Sequence, residues 1–260
     1  MISHTFVVLA YKESEFLEEC LKSVTNQSVK TNVLIATTTP NDYINNLANK
    51  YSIDVVCGKH TSIGGDFDFA RNSADTDLVT IAHQDDVYDY TYAEEVINSY
   101  KKDPDSIIIF SDYYEIRNGE KTYTNLNLKI KRLLLTSLRF KKLSGFKHFK
   151  RNVLRYGNAI SCPAVSYVQK NCPEKIFDLV MKCDIDWAAW EMLSRKKGKF
   201  IFIPKKLMGH RIDDSTTTSD IISQGIRTKE DLLILERFWP KRVAKMINRL
   251  YKGSEKNNNL

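Results

Sequence analysis

The sequence predicts an α/β fold, a mostly parallel sheet flanked by helices with a helical extension at its C-terminal end. Three observations carry that expectation. Over the first 110 residues, short apolar runs alternate with segments of helical spacing, the pattern of right-handed strand–helix–strand units. The strand-like runs are β-branched and almost wholly apolar, as strands covered on both faces are. A chain of 260 residues, 42% hydrophobic and 27% charged, suffices for one substantial core and not for two full-sized domains.

Thr5–Tyr11 (TFVVLAY) is the first strand. Phe16, Leu17, Cys20, Leu21 and Val24 then share one helical face behind Ser14, a candidate cap. Asn32–Thr38 is the second strand, running into Thr37-Thr38-Thr39, and Pro40 suits the first turn of a helix reaching to about Tyr51. Ile53–Cys57 is a short third strand closed by Gly58, and Gly64-Gly65 opens a helix from Asp66 to Ala74. Leu78–Ala82 is a buried strand running straight into His83-Gln84-Asp85-Asp86. A helix over Thr91–Lys102 and the strand Ser106–Phe110 follow. Residues 126–155 read as one or two basic amphipathic helices, with Leu133, Leu134, Leu138, Phe146 and Phe149 as apolar stripes. Asp186–Lys197 is a tryptophan-bearing helix, Phe200–Ile203 a strand and His210 to Thr218 a polar loop. Helical patterns near 227–238 and 241–252 flank Pro240, and Gly253 to Leu260 reads as frayed.

Composition narrows the class. No apolar run reaches the roughly 18 residues of a membrane span, and Met1-Ile2-Ser3-His4 lacks the layout of a secretory signal. Five cysteines form an odd set without Cys-x-x-Cys spacing, which argues against a disulfide framework and for the cytoplasm. The net charge of +7 is unevenly spread: Lys121 to Pro173 holds 12 Lys/Arg and no acid, against 27 basic and 32 acidic residues elsewhere. Such a stretch suits phosphate, nucleic acid or a lipid surface, and a solvated lysine-rich helix face is the plainer alternative. Nucleic acid is disfavoured because Phe140, Phe146 and Phe149 share helical faces with leucines rather than forming a stacking row.

Ligands of open α/β sheets gather beyond the carboxyl ends of the strands. Here that edge receives Tyr11-Lys12-Glu13, Thr37-Thr38-Thr39 and His83-Gln84-Asp85-Asp86. Adjacent carboxylates at a strand end repel one another, and a divalent ion shared with substrate phosphates offsets that repulsion. A helix cap supplied by Asp86 or Asp89 is the alternative. The sequence has no Gly-x-x-x-x-Gly-Lys-Ser/Thr loop, no Gly-x-Gly-x-x-Gly after the first strand and no Gly-x-Ser-x-Gly elbow. A site that handles a nucleotide with acids and a metal, rather than with glycines, is what these absences leave.

In this order the motifs resemble glycosyltransferase family 2, inverting enzymes of the Rossmann-like GT-A fold that use nucleotide-diphosphate sugars. The resemblance runs through Phe6–Tyr11, Phe16–Val24 with Asn26-Gln27-Ser28, and Gly64–Asn72 (GGDFDFARN). It continues with His83–Asp86 at the family's Asp-x-Asp-Asp position and Asp184-Ile185-Asp186-Trp187 at the base motif. It ends with His210–Ser215 at the Arg-x-His-x-x-Ser loop, so it spans roughly four-fifths of the chain. Three features depart from the family: neutral Thr37-Thr38-Thr39-Pro40 where acids are common, His83 in place of the first Asp, and Asp213 in place of the loop histidine.

The resemblance implies a GT-A domain over residues 1–218, with a nucleotide-sugar-binding half (1–112) and an acceptor-side half (113–218), followed by a helical extension (219–260). It implies Mn²⁺ or Mg²⁺ held by Asp85, Asp86 and His210, with Asp213 as alternative. Donor contacts fall to Ala10, Tyr11, Glu13, Thr38, Asp66, Arg71, Gln84 and Asp85. Asp186 is the expected catalytic base, with Asp184 the alternative, and Trp187, Trp190 and Asn158 the expected acceptor contacts. The implied partners are a UDP-sugar, a glycan or polyprenyl-linked glycan and an anionic surface at the inner face of the cell membrane, without nucleic acid. A sugar-phosphate nucleotidyltransferase is the rival on a similar fold, opposed by the acidic rather than basic loop Lys12-Glu13-Ser14-Glu15. A degenerate, non-catalytic member is the other.

Overall fold

The computed structural model describes residues 2–212 and 225–256. Its strands are β1 (His4–Ala10), β2 (Asn32–Thr37), β3 (Asp54–Cys57), β4 (Leu78–His83), β5 (Val87–Tyr88), β6 (Ser106–Arg117), β7 (Glu120–Thr122), β8 (Val165–Val168) and β9 (Lys199–Arg211). They form one sheet in the order β3-β2-β1-β4-β8-β6-β9-β5, with β7 paired to β6. The first four strands pair in parallel, as do β6 and β9; β8 runs antiparallel between β4 and β6, and β5 antiparallel to β9.

The helices are α1 (Leu17–Thr25), α2 (Asp42–Tyr51), α3 (Ile63–Asn72), α4 (Tyr92–Lys102), α5 (Leu126–Leu134), α6 (Lys147–Asn152), α7 (Ile185–Ser194), α8 (Ile226–Leu235) and α9 (Lys241–Lys256). The period of two in β1 sends its side chains to two cores. Phe6 and Val8 pack with Leu17, Leu21, Ile44 and Val96 of α1, α2 and α4. Val7 turns to the opposite face, among residues of α3, α7 and α8. A strand covered on both sides needs apolar residues at every position, which is why its sequence shows no alternation.

Several boundaries move for local reasons. Asn41 caps α2 by accepting from the Ile44 N–H, so Pro40 stands before the cap rather than in the first turn. Ser62 caps α3 through the Gly65 N–H, which puts Gly64 and Gly65 inside the helix. A Cβ on Gly64 would sit 2.3 Å from the Asp178 carbonyl oxygen, so only glycine permits that approach. The strand predicted over Ser106–Phe110 continues to Arg117 because its buried polar residues find partners, Asp112 from Arg132 and Glu115 from Asn125. The strand predicted over Phe200–Ile203 runs on to Arg211, past an exposed Pro204-Lys205-Lys206 where the pairing with β6 shifts register.

The C-terminal helices join the main core through Ile234 and Leu235. Trp239 donates its indole N–H to the Arg155 carbonyl at 2.7 Å, and the Arg155 guanidinium lies 3.7 Å from its ring centroid. The basic segment is not uniformly solvated. Lys150 is fully buried, donating to the carbonyls of Lys196 and Gly198 at 2.7 and 2.8 Å, and burial pulls its pKa down to about 8. Leu138 is buried too, so it belongs to the core and not to an outward stripe. Among the described residues no helix is long and apolar enough to cross a membrane.

Candidate active site

The carboxyl ends of β1, β2 and β4 lie side by side, and the chain knits them into one rim. Tyr11 donates its backbone N–H to Gln84 Oε1 at 2.9 Å, and Gln84 Nε2 returns a bond to the Tyr11 carbonyl. Lys12 follows in the left-handed region (φ 54°), its N–H held by Thr39 Oγ1 at 2.6 Å. Thr38 donates to Asp66 Oδ2 at 3.3 Å, and His60 Nδ1 approaches the same oxygen at 2.8 Å. Asp66 Oδ1 is buried without a hydrogen-bond partner. Ala10, Tyr11, Thr38, Asp66 and Gln84 thus share this edge, with Glu13 exposed just beyond it.

Arg71 does not. Its guanidinium donates to Gln169 Oε1 and to the carbonyls of Pro173 and Glu174, and the residue is 2% exposed. It ties α3 to the segment after β8, a structural role in place of the expected donor contact. A guanidinium surrounded by three acceptors has little left for a phosphate.

The acid pair follows β4. One ligand atom each from His83, Asp85 and Asp86 lies within 4.8 Å of the others. Asp86 is fully buried: its Oδ1 receives the Arg211 N–H at 2.8 Å and meets His210 Nδ1 at 3.0 Å. Arg211 also donates to the Asp85 carbonyl at 2.9 Å and pairs with Glu19, which fixes the turn against the end of β9. Asp86 Oδ2 and His83 Nε2 are buried with no hydrogen-bond partner. Burial, then repulsion from Asp86, raises the Asp85 pKa; burial outweighs the nearby carboxylates at His83 and lowers its pKa. At His210 burial is outweighed by Asp86, and the pKa rises.

A neutral imidazole, two crowded carboxylates and orphaned ligand atoms are a donor set that fits a divalent cation. His83, which the sequence presents only as a departure, offers a ligand atom in this cluster. Asp213 lies outside the described residues.

Asp186 stands in the first turn of α7. Its Oδ1 accepts from the Trp187 N–H and its Oδ2 from Asn158 Nδ2, both at 2.7 Å. Burial raises its pKa against these two bonds. Asn158 therefore orients Asp186. Trp187 and Trp190 are 1% and 0% exposed, so neither offers the sugar-stacking face expected of them. Their spacing of three suits a core face equally well: Trp187 donates its indole N–H to the Leu154 carbonyl, and Trp190 packs against Tyr167. Lys131, whose ammonium donates to the Tyr113 hydroxyl at 2.7 Å, lies close enough to lower the pKa of both Asp186 and His210. The Cys162 thiol is raised by Asp186 and Asp86 alike, after burial. The carboxylate on α7 and the acid pair after β4 are therefore both within electrostatic reach of this one buried thiol.

Asp184 is different in kind. Glu230 of α8 receives the N–H groups of Lys182, Cys183 and Asp184, a clasp on the entry to α7 that no local pattern announces. Asp184 is 4% exposed, and burial with the Asp231 carboxylate beside it pushes its pKa up to about 9. A carboxyl protonated at neutral pH cannot take a proton, which sets it behind Asp186 as a base. Its folded pKa exceeds the unfolded one, so the stability it contributes is whole below the ordinary carboxylate range. That contribution is lost as pH rises toward 9. Asp184→Asn is expected to flatten the decline of melting temperature between pH 5 and 9; a variant as pH-sensitive as wild type contradicts the assignment.

A helix-flanked, mostly parallel sheet with acids gathered at its strand ends defines the GT-A class of glycosyltransferase folds. Residues 5–171 match the Glycosyl transferase family 2 model, more than half of the chain, and the protein belongs to that family. The match ends before α7 and β9, so Asp186 and His210 rest on geometry alone. Among curated proteins none matches significantly. Of solved structures, S. aureus TarS is similar at 14% identity and TM-score 0.61, over 95% of this chain and 42% of that one. S. aureus TarS 1-349 in complex with UDP-GlcNAc is similar at 14% identity and TM-score 0.62, over 95% and 70%. TarS 1-349 alone gives 13% and 0.63, over 95% and 69%. This chain spans less than half of the first of these, and at these identities the likeness is one of fold.

Proposed function

We propose that the protein transfers a sugar from a nucleotide-diphosphate sugar, with a UDP-sugar favoured, to a glycan or polyprenyl-linked glycan, inverting the anomeric carbon. The setting is bacterial surface-polysaccharide synthesis, which puts the protein in the cytoplasm at the inner face of the membrane. The observation that carries the reading is the His83–Asp85–Asp86 cluster, with its orphaned ligand atoms, at the carboxyl end of β4 in a chain of this family. Single displacement needs a base on the acceptor side and charge neutralisation at the departing diphosphate, on opposite sides of the reacting carbon. The fold shared with TarS 1-349 in complex with UDP-GlcNAc supports the choice of donor.

The residues divide the work as follows. The rim of Tyr11, Thr38, Asp66 and Gln84 seats the nucleoside. Threonine hydroxyls and backbone groups around Thr37–Thr39 recognise the base in place of the acids common in the family. Asp85, Asp86 and His83 would hold Mn²⁺ or Mg²⁺, with His210 orienting Asp86. Bound there, the ion would neutralise negative charge on the diphosphate. Asp186, held by Asn158, takes the proton from the acceptor hydroxyl.

The test is hydrolysis and thermal protection with UDP-GlcNAc, each with and without Mn²⁺. Turnover that needs the metal, together with a raised melting temperature, is the expected result. Protection without turnover under any acceptor would make this a sugar-nucleotide-binding protein that has lost its chemistry. No protection by any nucleotide sugar would end the reading.

A further inference from the structure

We propose that the outward face of α5 docks this protein on an anionic lipid surface. A surface helix ordinarily buries its apolar stripe and turns its charges to water. α5 does the reverse over most of its length. Leu126, Ile130 and Leu133, spaced four and three apart on one face, are 70%, 46% and 72% exposed. What fastens the helix to the sheet is largely polar. Arg132 donates to Asp112 Oδ2 at 2.7 Å and to the carbonyls of Tyr113 and Tyr123, and Lys131 to the Tyr113 hydroxyl. Asn125 caps the first turn through the Leu128 N–H and bonds Glu115. Leu128 alone among the residues of α5 is fully buried.

Single exposed leucines are ordinary, but three in register on a helix held rigidly by its other side form a face presented outward. The charge around this face limits what can cover it. Lys129 is exposed within the stripe, and Lys121, Arg139, Lys142 and Lys147 are exposed along the same segment, together with Phe140 and Phe146. Lys141 is exposed but paired with Asp103 at 3.5 Å. No Asp or Glu occurs between Lys121 and Pro173.

A second copy pairing about a two-fold axis would set this basic surface against itself. Nucleic acid would use the charge and leave the aliphatic stripe without a stacking partner. An anionic bilayer satisfies both, with the stripe at the boundary of the acyl chains and the lysines among the headgroups. The same helix is tied to β6 by the Lys131 bond to the Tyr113 hydroxyl, so the docking face is fixed relative to the sheet. Docking through α5 rests on the membrane setting proposed above and is read out independently of turnover.

Co-sedimentation with phosphatidylcholine vesicles, pure or mixed with phosphatidylglycerol, tests it with the intact chain. Wild type should pellet with the anionic vesicles, remain in solution with the neutral ones and be released by high salt. Replacing Leu126→Gln, Ile130→Gln and Leu133→Gln together should weaken vesicle binding by about tenfold or more, since the apolar contribution is removed. Melting temperature and UDP-GlcNAc protection should be unchanged in that variant, because these side chains support neither the core nor the rim. Wild type that ignores anionic vesicles at low salt overturns the proposal. So does a triple variant that binds them as tightly as wild type. A lipid-free dimer that the triple substitution converts to monomer would assign the stripe to self-association and overturn it equally.

Discussion

Asp186→Asn should lower kcat by roughly 10²–10⁴-fold, the usual contribution of a positioned general base, while the donor KM stays near wild type. Asp186 sits on α7 with one oxygen on the Trp187 N–H and the other on Asn158, leaving it aimed and only partly enclosed. Asparagine keeps the backbone bond and gives up at most the Asn158 contact, since Asn158 Oδ1 already accepts from the Ile160 N–H; the loss is local and leaves the fold in place. A melting temperature close to wild type is the control. The pH profile supplies a second readout. Because burial raises the Asp186 pKa, the acid limb of wild-type kcat should fall at a pH above the ordinary carboxylate range, and the Asn variant should lack that limb. An unchanged kcat with weakened donor binding would instead put Asp186 in the nucleotide site.

How far the sequence carried these conclusions differs by region, and the reasons are physical. β1 through β4 were legible because each is a short apolar run between helix signals, and parallel strands buried on both faces have no other way to look. The acid pair after β4 was legible because two adjacent carboxylates at a strand end demand an explanation. β8 was not: four residues after a single turn at Pro163 carry no period. The far halves of β6 and β9 were hidden by Asp112, Glu115 and Pro204, whose polarity the structure resolves through partners distant in the chain. Arg71 misled for the same reason, since the carbonyls it satisfies lie about a hundred positions away. Trp187 and Trp190 show the limit of residue type as a signal. An aromatic pair on a helix fits a sugar platform and a core equally, and only burial separates them. The Glu230 clasp on the entry to α7 joins segments 46 to 48 positions apart and leaves no trace in local pattern.

The acid pair itself should respond in two distinguishable ways. Asp85→Asn is expected to abolish metal-dependent transfer, a loss on the order of 10²-fold or more, because neutralisation of the leaving diphosphate depends on the ion it helps hold. Its raised pKa reflects burial and crowding by Asp86, so removing its charge relieves repulsion. Melting temperature without metal should therefore hold or rise. Asp86→Asn should lose transfer as well, but at a cost to stability. Its carboxylate receives the Arg211 N–H and meets His210, at full burial, and that charge-assisted contact anchors the end of β9. Weakening it should cost about 1–3 kcal/mol. Thermal unfolding with and without Mn²⁺ separates the effects independently of turnover. Wild type at a hundredfold excess of Mn²⁺ over its Kd should gain about 2.7 kcal/mol by mass action, and both variants should lose most of that gain. If the two variants keep both wild-type turnover and the Mn²⁺-induced rise, the cluster after β4 is not the metal site, and the partnering of Asp86 by His210 and Arg211 is a structural lock alone.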